Sequence, residues 1–104
     1  MRLKPDDRRD LILTAAILLS TYPGYNYRSW TREEVAGVAG VAPGLISHYF
    51  STMDNLRDET MRYAIRLSRV PVVAQGLAVR DAIALDAPDD LKEAAARWLV
   101  GGEV

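Results

Sequence analysis

At 104 residues the chain is the length of one domain, and 49% hydrophobic against 26% charged residues is the balance of an ordinary globular protein. It has no cysteine and a single histidine, His48, which excludes disulfide scaffolds, thiolate zinc sites, cysteine nucleophiles and multi-histidine metal centres. The net charge of −1 argues against a non-specific nucleic-acid binder.

No apolar run approaches the ~20 residues that a membrane span needs, and Asp6 and Asp7 do not suit a signal peptide. The expectation is a protein of the reducing cytoplasm with no membrane partner. Charge is uneven along the chain: Lys4 and nine arginines face eight acids in residues 1–70, while Arg80, Lys92 and Arg97 face six acids in residues 71–104. A weakly basic front and an acidic back fit a DNA-facing part joined to a partner-facing one.

The first element is a helix over about residues 5–21, with Pro5, Asp6 and Asp7 at its start and an apolar stripe of Leu11, Ile12, Ala15, Ala16, Leu18 and Leu19. Tyr22, Pro23 and Gly24 stop it. A loop with Tyr25, Tyr27 and Trp30 follows, and its aromatic rings, with Tyr22, are expected to pack against the first and fourth helices. Thr31 with Glu34 three residues on has the form of a capping box, so a short helix begins there, buries Val35, Val38 and Ala39, and ends at Gly40.

Pro43 opens the next short helix, with Leu45, Ile46, Tyr49 and Phe50. A fourth helix runs from about Met53 to Ser68 on the stripe Met53, Leu56, Thr60, Tyr63, Ala64 and Leu67. Pro71 reads as an interruption, Val72–Val79 as a further helix weakened by Gly76, and residues 88–100 as a last one packing Leu91, Ala94, Ala95, Trp98 and Leu99. No stretch alternates with period two between hairpin turns, so the fold class is all-α.

The informative unit is Thr31–Phe50, two short helices joined by a glycine turn. By spacing alone it fits either a DNA-reading helix–turn–helix or any helical hairpin. Thr31, Val35-Ala36, Ala39-Gly40-Val41-Ala42, Pro43-Gly44-Leu45-Ile46-Ser47, His48-Tyr49-Phe50, Asp54 and Leu56 together resemble the DNA-binding domain of TetR/AcrR-type transcriptional regulators. The helix before, with Ile12, Leu13, Ala15, Ala16 and Leu19, and Gly24 are similar too, so the resemblance covers about residues 8–68.

The resemblance implies a helical bundle with a TetR-like helix–turn–helix over residues 1–70, followed by a short helical tail over 71–104, in one compact domain. It implies that Thr31 caps the first of the paired helices and touches a phosphate. Ala42, Pro43, Gly44 and Leu45 then lead the recognition helix, and Ser47, His48 and Tyr49 reach bases or backbone. Val35, Ala36, Ala39, Val41, Ile46 and Phe50 fall at the family's internal packing positions.

The sequence departs from the family where a lysine usually starts the following helix, a position held here by Met53, and the recognition helix carries no Arg or Lys. Base reading then rests on methyl contacts, hydroxyls, His48 and groove shape. Phosphate charge is expected to be met by Arg28 and Arg32, and by Arg2, Lys4, Arg8 and Arg9 near the start, with Arg2 and Lys4 flanking a segment suited to the adjacent minor groove.

The family's large C-terminal domain, which dimerises and holds an inducer, has only a short counterpart in residues 71–104, so no small-molecule inducer is expected. The tail is expected to pair two protomers through Val72, Val73, Leu77, Val79, Ile83, Leu85, Trp98 and Leu99. The expected function is a homodimeric repressor bound to double-stranded DNA at a palindromic operator. The alternative is a helix–turn–helix module that binds a protein partner, as an anti-repressor or inhibitor does. An enzyme is not expected: neighbours such as Ser47 and His48 diverge by about 100° on a helix and cannot pair. Glu33-Glu34 and Asp89-Asp90 are helix-start acids, and with no glycine-rich phosphate loop no metal or cofactor is expected.

Overall fold

The computed structural model describes residues 5–101, and among them every regular element is a helix. The order is α1 (Pro5–Ser20), α2 (Arg32–Ala39), α3 (Pro43–Phe50), α4 (Met53–Arg66), α5 (Val70–Ala78), α6 (Ala82–Leu85) and α7 (Asp89–Gly101). The all-α expectation therefore holds for the described residues.

Local chemistry sets most of the boundaries. Thr31 accepts from the Glu34 backbone N–H while the Glu34 carboxylate accepts from the Thr31 N–H, a reciprocal cap on α2. Gly40 ends α2 in the left-handed region at φ 73°, where a side chain would be strained. Thr52 caps α4 by accepting from the Asn55 N–H, and the Asn55 side-chain amide donates to the Phe50 carbonyl at 2.7 Å, closing the corner between α3 and α4. Pro71 does not interrupt the chain: it sits in the first turn of α5, where its missing N–H costs nothing. Asp81 accepts from the N–H groups of Ile83 and Ala84 and so starts α6, a one-turn helix too short to show a period.

Two apolar clusters share α1. Ile12, Ala16 and Leu19 pack with Trp30, Val35, Ile46, Phe50 and Leu56, binding α1 to α2, α3 and the start of α4. Ile17 packs on another side with Tyr27, Met61, Ala64, Val72, Val73, Ala84, Leu91 and Ala95, so the second cluster joins the tail helices to α1 and α4. The stripe expected on α1 is shifted by this double coverage: Leu13 and Ile17 are buried, whereas Leu11 and Leu18 are exposed. On α4 the buried set is Leu56, Thr60, Met61 and Ala64, and Leu67 is exposed. On α2 it is Val35 and Ala36, with Val38 exposed.

The aromatic loop is sorted likewise. Trp30 enters the first cluster and Tyr27 the second, both 1% exposed, while Tyr22 stays in solvent at 65% and is not part of the packing expected of it. Gly76, read from sequence as a weak point in α5, faces Met61 of α4 and Ala84 of α6 at close range. A Cβ there would lie 2.6 Å from both Ala84 Cβ and Met61 Cε. The helix cost of glycine is offset by that close packing.

Candidate nucleic-acid interface

The pair α2 and α3 is held from beneath. Ile46 and Phe50 anchor α3 and Val35 and Ala36 anchor α2 in the first cluster, all at 1% exposure or less. Ala39 and Val41, the remaining internal positions of the resemblance, pack against the same cluster while partly exposed. The turn is fixed by the Gly40 and Val41 N–H groups, which both donate to the Ala36 carbonyl at 2.9 and 3.1 Å.

With Ile46 and Phe50 turned inward, helical geometry sends Gly44, Ser47 and His48 outward or sideways, while Pro43, on the side of the two anchors, is exposed because it opens the helix. Ala42, Pro43, Gly44 and His48 are exposed, and Leu45, Ser47 and Tyr49 are partly exposed. Tyr49 is less free than the resemblance implies, because its ring leans on the first cluster. His48 meets that ring edge-on, with centroids 5.3 Å apart. Thr31 is exposed beside this face, its oxygen already engaged in the α2 cap.

Cations are distributed differently from the expectation. Arg32 reaches from the start of α2 to α3: its guanidinium donates to Ser47 Oγ at 2.7 Å and lies 3.4 Å from Glu33. Arg28 is grouped elsewhere, in an open concavity with Tyr27, Asp54, Arg57, Asp58 and Asp81. Arg9 is structural: it donates to the Tyr49 carbonyl at 3.1 Å, pairs with Glu59, and stacks 4.5 Å over the Phe50 ring, which withdraws it from the phosphate role expected of it. Arg57 likewise lies over the Trp30 ring and bonds Asp54. Arg8 is partly exposed, and Arg2 and Lys4 fall outside the described residues.

Several residues that position this face carry no local sequence signal. The Tyr25 hydroxyl donates to the Glu34 carboxylate; this bond, with the Thr31 N–H behind it, holds Glu34 below the usual carboxylate range and raises Tyr25. Trp30 Nε1 donates to the buried Ser20 hydroxyl at 2.9 Å, and that hydroxyl donates to the Ala16 carbonyl. Gln75 donates to the Ser20 carbonyl and accepts from the Tyr27 N–H, both at 2.9 Å. The Tyr27 hydroxyl donates to Asp81 at 2.7 Å; burial first, and this bond second, push its pKa up to about 12.

The tail residues expected to form a dimer contact fall into three groups. Val72 and Val73 are 0% exposed within one chain, so their side chains have no surface to give a second protomer. Leu77, Ile83 and Trp98 pack partly against the same cluster, while Val79, Leu85 and Leu99 are exposed, as is Val100, which is not among the residues expected there. Among the described residues no helix is long and apolar enough to cross a membrane, and no group of three or more His, Asp or Glu could hold a metal ion. No family model, curated protein or solved structure matches the chain.

Proposed function

We propose that this chain is a sequence-specific double-stranded DNA-binding transcriptional regulator, working as a homodimeric repressor of a palindromic operator. The observation that carries the reading is the open surface of α3: Pro43 at its start, Gly44 and His48 lie in solvent with Ser47 beside them, backed by Ile46 and Phe50 in a packed core. A rigidly seated short helix with a small-featured outer face is what a major groove accepts. Thr31 and Arg32 at the start of α2 flank it and supply phosphate contacts. The resemblance of residues 8–68 to TetR/AcrR-type regulators supports the same reading, and the exposed Leu99 and Val100 of α7 offer an apolar surface for the second protomer.

The test is selection of bound duplexes from a random pool, followed by affinity against salt. An enriched inverted repeat whose affinity falls steeply with salt is the expected result. No enriched sequence, or affinity indifferent to salt, rejects it.

One observation favours a second reading, a module that binds a protein. Arg9 and Arg57 are tied to Glu59 and Asp54, and Arg32 is shared with Glu33 and Ser47, so few cations face outward beside α3. Binding of a protein partner with no duplex enriched would select that reading.

A further inference from the structure

Resting on the DNA-binding reading, we infer that the leading end of α3 reads A·T pairs through the 5-methyl group of thymine and makes no guanine contact. Two features of the same turn point there. The first is the donor set. Guanine is most commonly read by Arg or Lys donors on O6 and N7, and α3 carries neither residue. Arg32, which reaches α3 from the start of α2, bonds Ser47 Oγ and Glu33. What the first turn of α3 presents instead is the Ala42 methyl and the Pro43 ring in solvent, with the partly exposed Leu45 behind them. Thymine alone puts a methyl group on the major-groove edge, and apolar side chains are what contact it.

The second feature is Gly44. It is the second residue of α3, in the open first turn, where no contact of the fold requires a glycine. Its φ is not left-handed, and a Cβ built on it meets nothing within 4 Å. Gly76, by contrast, is demanded by Ala84 and Met61. Gly37 of α2 is equally open, so open space alone does not set Gly44 apart; what does is its place between the apolar groups of Ala42, Pro43 and Leu45, where a missing side chain permits close approach from outside. Removing the side chain there lets those groups reach the floor of the groove. Ser47, accepting from Arg32, keeps its own hydrogen to donate to an acceptor such as thymine O4.

The experiment uses the wild-type chain on its selected duplex, with deoxyuridine replacing thymidine one position at a time and, separately, 7-deazaguanine replacing guanine. Loss of a contacted methyl weakens binding about fourfold per half-site, and 7-deazaguanine leaves affinity unchanged. In a second arm, Gly44→Ala keeps or raises the melting temperature while weakening the same duplex. Affinity insensitive to every deoxyuridine, or lowered by 7-deazaguanine as much as by deoxyuridine, overturns the inference while leaving DNA binding itself standing. A chain that enriches no duplex rejects the DNA-binding reading and this inference with it.

Discussion

The indole N–H of Trp30 donates to the hydroxyl of Ser20 at 2.9 Å, and both residues are buried, at 1% and 0% exposure. Trp30 immediately precedes the Thr31 cap of α2, so this bond fixes where the α2–α3 pair begins relative to α1. Ser20→Ala leaves a buried donor without its partner, which costs about 1–3 kcal/mol. Urea unfolding followed by Trp fluorescence measures it. A change under about 0.5 kcal/mol would mean the indole finds water instead.

Gly76→Ala tests the close approach of α4, α5 and α6. Helix propensity alone predicts a gain for this change, whereas the 2.6 Å approaches to Ala84 and Met61 predict overpacking. The expected outcome is a loss of about 1–3 kcal/mol, partly restored in the double variant with Ala84→Gly. Thermal melts of the four proteins in that cycle decide the sign.

The buried Tyr27 hydroxyl makes the fold sensitive to alkali. Its pKa is about 12 in the folded chain against 10.0 when free, so the unfolded chain ionises first as pH rises. The stability this group contributes is therefore full below pH 10 and lost as pH climbs to about 12, a drop on the order of 2–3 kcal/mol. Tyr27→Phe is expected to be less stable at neutral pH and to lose less over that window. Denaturant midpoints taken across it provide the measurement.

His48 is exposed and Ser47 partly so, and they make only a ring-edge contact and a surface hydrogen bond, so His48→Ala and Ser47→Ala are each expected to change stability by no more than about 0.5 kcal/mol. Both are expected to weaken the selected duplex about tenfold. Circular dichroism and fluorescence anisotropy on the same samples separate the two effects. Unaltered affinity in both variants would move the contact surface off this helix.

Leu99→Ser combined with Val100→Ser is expected to lower the dimer fraction in sedimentation while the helical signal and melting temperature hold, since both side chains are exposed within one chain. Val73→Ser is expected to unfold the protein instead, because its side chain is wholly interior. A dimer untouched by the paired change would place the contact on another surface.

The helices up to α4 were legible because their signals are local: Thr31 with Glu34, Gly40 and Pro43 each act within a few residues. The side each helix buries was less so. Leu11 and Leu18 belong to the apolar stripe of α1, yet coverage of that helix by two clusters draws in Leu13 and Ile17. Pro71 misled because a proline that breaks a helix and one that starts it look alike in isolation. The candidate face followed from the register of Ile46 and Phe50, but the withdrawal of Arg9 depended on Tyr49 and Glu59, which lie 40 and 50 residues away. Tyr27 with Asp81 and Gln75 with Ser20 are similarly distant, at 54 and 55 residues, beyond any periodic signal.

Gln75 spends both ends of one amide on the opposite half of the molecule, the Ser20 carbonyl and the Tyr27 amide. The tail is consequently not an appendage that could be trimmed or exchanged while the front half keeps its shape. Removing the helices after α4 would uncover Met61, Ala64 and the Tyr27 ring together. Swapping this front half onto a foreign tail would demand that the new tail bring its own amide to the same spot.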